Sequence, residues 1–157
     1  MDKVLETPWL TTEQQKIWRS FLGGSTVLLD RLDRDLRSTH GLSMPEYEIL
    51  VRLSEAPGRA IRMAELAAAV SHSRSRVTHT IARLEREGRV TRGQCSEDGR
   101  GVSAVLTDSG LELLEAAAHT HVQGVHNYLI ENSDPDDLAA LGRIMQTVVE
   151  ALQGRSF

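Results

Sequence analysis

Residues 63–101 read MAELAAAVSHSRSRVTHTIARLEREGRVTRGQCSEDGRG. Two helices open this stretch. Residues 64–70 are alanine-rich, and their small side chains permit close packing of neighbours. Ser71 and His72 make a brief turn, and Ser73 is a good N-cap for a second helix running to Glu87, with Gly88 as its stop. The period then changes. Residues 90–95 and 102–106 have strand-like content, and Ser96-Glu97-Asp98-Gly99-Arg100-Gly101 joins them through a glycine-rich, charged tip. Helix, tight turn, helix and hairpin in this order outline a winged helix-turn-helix, whose second helix enters the DNA major groove.

At about 100° per residue, Val77, Ile81 and Leu84 share one face of the second helix and must pack on a core. The opposite face holds Ser75, His79 and Arg86, flanked by Arg76, Thr78 and Arg83. Short polar groups and Arg are the side chains that read base edges and grip phosphate. An ordinary solvated face has a similar composition, so the surrounding outline is what assigns this one to DNA. Ser75, Arg76, Thr78 and His79 are the expected major-groove readers, with Ser73 and Arg74 at the helix start and Arg83 further along. In the hairpin tip, Asp98 stands two residues before Arg100. Such an Arg can enter a minor groove, whose narrow walls concentrate negative potential. An acid at that spacing can hold the guanidinium through paired hydrogen bonds.

Helical periodicity dominates both flanks. From residue 12 to about 38, Ile17, Phe21, Leu22, Leu28, Leu29, Leu32 and Leu36 recur at three- and four-residue spacings. Thr11 or Thr12 with Gln14 or Gln15 supplies a capping box, and Gly41 the stop. Ser43 and Glu46 box a second helix with Pro45 in its first turn, closed by Pro57-Gly58. Residues 61–63 form a short extended piece. After the hairpin, a long helix runs from 107 to about 131, and Asp134-Pro135 starts the last one. The expected fold is therefore mainly α with a small β-hairpin wing, and all 157 residues make one domain.

As a bare sum, the formal net charge of −4 speaks against a nucleic-acid partner. Its distribution reverses that. Residues 59–101 carry nine Arg and five acids, +4, and the rest carries nine basic and seventeen acidic groups, −8. Sixteen of the eighteen basic residues are Arg, whose flat fork suits phosphate and guanine edges; a GC-rich genome would produce the same bias. A single cysteine, Cys95, and an N-terminus without a basic-then-apolar signal lead us to expect a cytoplasmic protein.

These stretches together resemble the MarR (multiple antibiotic resistance regulator) family of winged-helix transcription factors. The resemblance rests on Leu42-Ser43-Met44-Pro45-Glu46-Tyr47-Glu48-Ile49-Leu50, on the helix-turn-helix from Met63 to Gly88, on Asp98-Gly99-Arg100 as the family's Asp-x-Arg wing, and on Leu106-Thr107-Asp108-Ser109-Gly110. It implies an obligate homodimer. Residues 12–40 and 108–153 would then be dimerisation helices and 43–106 the DNA-binding lobe. The periodicity agrees, because long amphipathic helices at both ends need an apolar partner. Two-fold symmetry implies a pseudo-palindromic operator with half-sites about one helical turn apart. The resemblance also implies a repressor released by a small lipophilic or phenolic ligand, in a cleft that Trp18, His40, Tyr47 and His119 would line.

Other chemistries find less support. His119 and His126 share a helical face but stand about 10.5 Å apart along the axis, too far to chelate one metal. No metal site and no cofactor is expected. Cys95 falls in a wing strand rather than in the first helix, where one branch of the family senses peroxide; a metal- or redox-responsive regulator is the alternative it leaves. Ser75 and His79 lack an orienting acid and an oxyanion site, so no catalysis is expected. A dimeric adaptor that uses the lobe for protein contacts is a further reading.

Overall fold

The computed structural model describes residues 7–69, 74–94 and 101–153. Helix α1 (Thr12–His40) starts at Thr11, which exchanges capping hydrogen bonds with Gln14, and ends at Gly41, whose φ of 66° suits glycine. Its 29 residues span about 43 Å. Helix α2 (Met44–Glu55) begins at the Ser43–Glu46 box. A 3₁₀ turn (Pro57–Arg59) leads into β1 (Ala60–Arg62), then α3 (Met63–Ala69) and α4 (Arg74–Arg86). Strands β2 (Val90–Gln94) and β3 (Val102–Leu106) follow, then α5 (Asp108–Val125), a π-helical turn (His126–Ile130) and α6 (Pro135–Gln153).

The element order is the expected one, with two refinements. The short extended piece is a strand: β1 pairs antiparallel with β3, Ile61 opposite Ala104, and gives a three-stranded sheet in the order β1-β3-β2. Three residues are too few to show a strand period, so only the pairing reveals it. The helix expected over 107–131 is α5 ending at Val125, with the π-helical turn completing it.

One core joins these elements. Ile49, Leu50 and Leu53 of α2 meet Leu66 of α3, Val77, Ile81 and Leu84 of α4, Val90, Ala104 and Leu106 of the sheet, and Leu114 and Ala117 of α5. Only the C-terminal end of α1 enters it, through Leu36, with Leu32 also buried. A Cβ at Gly124 would stand 2.8 Å from Leu32 Cδ2, so α5 crosses α1 closely at that point. Elsewhere α1 leaves Ile17, Trp18, Leu22, Val27 and Leu29 exposed, and α6 leaves Ile144, Val148, Val149 and Leu152 exposed. Among the described residues no helix is long and apolar enough to cross a membrane.

Candidate nucleic-acid interface

Helix α4 has two unlike faces. Val77, Ile81 and Leu84 are at most 1% exposed, whereas Ser75, Arg76, Thr78, His79 and Arg86 lie on the surface. Burying three branched apolar side chains on one stripe fixes the roll of the helix, and the polar residues are thereby aimed outward. Arg92 of β2 pairs with Glu85 at 3.1 Å and ties the base of the hairpin to the same helix.

A shallow depression of about 260 Å³ gathers Arg37 of α1, Ser43, Pro45 and Glu46 at the start of α2, and Arg76, His79, Thr80 and Arg83 of α4. Three guanidiniums gather around this concavity, and that of Arg37 is paired with Asp33. Arg83 is partly committed: its Nε lies 3.2 Å from Glu46 Oε1 and 3.1 Å from Glu87 Oε1. The hydrogen bond to Glu87 and the charge of Glu46 raise its pKa further. Thr78 lies on another side, in a hollow with Met63, Ala64 and Ala67 of α3. Arg74 opens α4; Ser73, Asp98 and Arg100, like Cys95, lie outside the described residues.

The four residues expected to line a ligand cleft do not converge within one chain. Trp18 stacks on Phe21 at 5.8 Å, about 33 Å up α1 from His40. His40 hydrogen-bonds Thr120 of α5 at 2.8 Å, and His119 is exposed. Tyr47 is buried against a residue the sequence reading had not placed there, His121, with ring centroids 4.7 Å apart. The signal for it was present: Leu114, Ala117, His121 and Gly124 form one three-and-four-spaced stripe of α5. Nearby, Asp35 accepts from Tyr128 Oη at 2.7 Å and from Arg31 Nε at 3.0 Å, and both hold its carboxyl below the usual range. No group of three or more metal-ligating side chains assembles among the described residues.

A helix-turn-helix packed on a small antiparallel sheet, with the second helix turned polar side out, defines a winged helix-turn-helix protein. The sequence model of the MarR family matches residues 42–102. The crystal structure of Sco3205, a MarR family transcriptional regulator from Streptomyces coelicolor, in complex with DNA, is 43% identical over 92% of this chain and 94% of that one, with a TM-score of 0.87. AbsC, a MarR family transcriptional regulator from the same organism, is 41% identical over 95% and 100%, with a TM-score of 0.88. The chain belongs to the MarR family of transcriptional regulators. Bordetella bronchiseptica BpsR, whose DNA binding is regulated by 6-hydroxynicotinic acid, shares the fold at 16% identity, over 92% and 99%, with a TM-score of 0.77. No curated protein matches the chain.

Proposed function

We propose that the chain is a homodimeric, cytoplasmic repressor that binds a pseudo-palindromic operator on double-stranded DNA and releases it when a small lipophilic or phenolic ligand binds. The observation that carries this reading is the two-faced α4, with His79 opposite a fully buried apolar stripe and Arg76 exposed on its flank. Ser75, Arg76, Thr78 and His79 read the major groove, with Ser73 and Arg74 beside them; Arg100 enters the minor groove and Asp98 positions it. Residues 43–106 form the reading lobe. Residues 12–40 and 108–153 dimerise through the apolar side chains that α1 and α6 leave exposed, which a second copy would cover. The relative in complex with DNA supports the partner. The ligand's place is the junction of α1, α2 and α5 near His40 and Tyr47, where reading lobe and dimerisation helices meet; His119 and the partner-facing Trp18 are its outlying candidates.

Nuclease protection on the promoter flanking the protein's own gene tests this directly. A protected two-fold symmetric site is expected, and protection that shrinks on adding phenolic compounds identifies the effector class. A protein that protects no sequence, there or in a selection from random duplexes, is not this regulator.

A further inference from the structure

Arg83 stands among the cations expected on DNA, yet its guanidinium spans two elements inside the protein. Nε lies 3.2 Å from Glu46 Oε1 of α2, and Nη2 donates to the Gly41 carbonyl at 3.3 Å, where α1 ends. Glu46 is 3% exposed, and its other oxygen accepts from the Ser43 N–H at 2.7 Å and the Ser43 hydroxyl at 2.8 Å. The same joint is held from the other side, where the Met44 N–H donates to Asp33 Oδ1 of α1 at 2.8 Å. One Arg thus connects the recognition helix to a rigid corner between α1 and α2. Such a corner is mechanically favourable: α1 belongs to the helices that would set the distance between the two lobes of a dimer.

We propose that Arg83, together with Glu46, is a positioning clasp that fixes α4 against the α1–α2 joint and so sets the spacing of half-sites the dimer accepts. The inference rests on the operator-binding reading above. Arg suits the task because its planar fork donates in two directions at once, through Nε to Glu87 of its own helix and through Nη2 to Gly41, while its charge lies against Glu46; an ammonium is a single point charge. Without Arg83 the buried Glu46 carboxylate carries an uncompensated charge, and with Glu46→Gln the guanidinium loses the charge that draws it to α2, so either change loosens the joint.

The probe is the duplex that the wild-type protein selects best from a randomised pool, alongside the same duplex with one base pair inserted between its half-sites. Wild type, Arg83→Gln, Arg83→Lys, Glu46→Gln and the double variant Arg83→Gln/Glu46→Gln are titrated over a salt series, with helicity followed by circular dichroism. We expect both Gln variants to bind the selected duplex about tenfold more weakly and to lose preference against the inserted base pair. Their salt slope equals that of wild type, the double variant is no weaker than the weaker single one, and Arg83→Lys does not restore the spacing preference. A salt slope lower by about one in Arg83→Gln, with Glu46→Gln unaffected, would make Arg83 a phosphate contact and overturn the inference. Unchanged affinity and spacing preference in Arg83→Gln would overturn it as well, as would loss of the fold in both single variants. If wild type selects no duplex at all, the operator reading falls and takes the inference with it.

Discussion

Residues His121 and Tyr47 meet where α5 packs on α2. The imidazole is part-buried, its Nδ1 has no hydrogen-bond partner among the described residues, and burial pushes its pKa below the ordinary value. The unfolded chain binds this proton at about pH 6.5, the folded chain only at lower pH. Stability is therefore complete above that pH and falls as the pH drops through it. We expect the urea midpoint of the wild-type protein to decline between about pH 7.5 and 5.5, and His121→Phe to decline less. An equal decline in both would assign the effect to other groups. The carboxyls of Asp33 and Asp35, both held below the usual range, release their share of stability only at more acid pH. A second contrast concerns the reading residues. Arg76→Ala or His79→Ala should relax the sequence preference in a selection from random operators. Arg100→Ala should weaken all DNA alike and lower the salt slope by about one. Equal sequence preference in all three variants would remove the groove assignment. His121 was legible from its stripe on α5. Its contact with Tyr47 was not, because a contact between helices 74 positions apart leaves no periodic trace in either.

At the scale of elements, the decisive joint is the one between α4, β2 and α5. Thr107 caps α5 by accepting from the Gly110 N–H at 3.0 Å, and its hydroxyl donates to the Gly88 carbonyl at 2.8 Å. Arg89 returns the contact through Nη1 to the Ser109 hydroxyl at 2.6 Å. Gly110 stands where these chains cross: a Cβ there would collide with the Arg89 carbonyl and stand 2.7 Å from Leu106 Cδ1. Gly110→Ala should accordingly cost about 3 kcal/mol or more in a denaturant titration, since backbone carbonyls give way poorly. A midpoint within experimental error of wild type would mean that the crossing is looser than it stands. The capping boxes of α1 and α2 were readable residue by residue, because a cap is a local hydrogen-bond pattern. The extended piece at 61–63 was readable too, but its pairing with β3 and the π-helical turn were not: the pairing joins distant segments, and the turn lies within a stretch that reads as plain helix.

For the whole molecule, the exposed apolar side chains of α1 and α6 are the largest demand left unmet within one chain. Ile144 is 57% exposed and Leu152 63%, on a helix that meets the other described elements only sparsely. A second copy covers them under the proposed assembly. The wild-type protein is then expected to sediment as a dimer at micromolar concentration, and the pair Ile144→Asp and Val148→Asp to be monomeric and to lose operator affinity together. A wild-type monomer would overturn that assembly. The charge split acts at the same scale: under the proposed assembly, +4 across residues 59–101 and −8 over the rest would orient the lobe toward DNA and the acidic helices away from it. Element order, caps, the two faces of α4 and this charge division follow from the sequence by itself, because periodicity, capping and charge are properties of neighbouring residues. Tertiary structure alone decided that β1 completes the sheet, that His121 lies on Tyr47, and that Arg83 joins α4 to the α1–α2 corner. Each of these is a meeting of distant segments, and the energy that selects it is created only when the core closes.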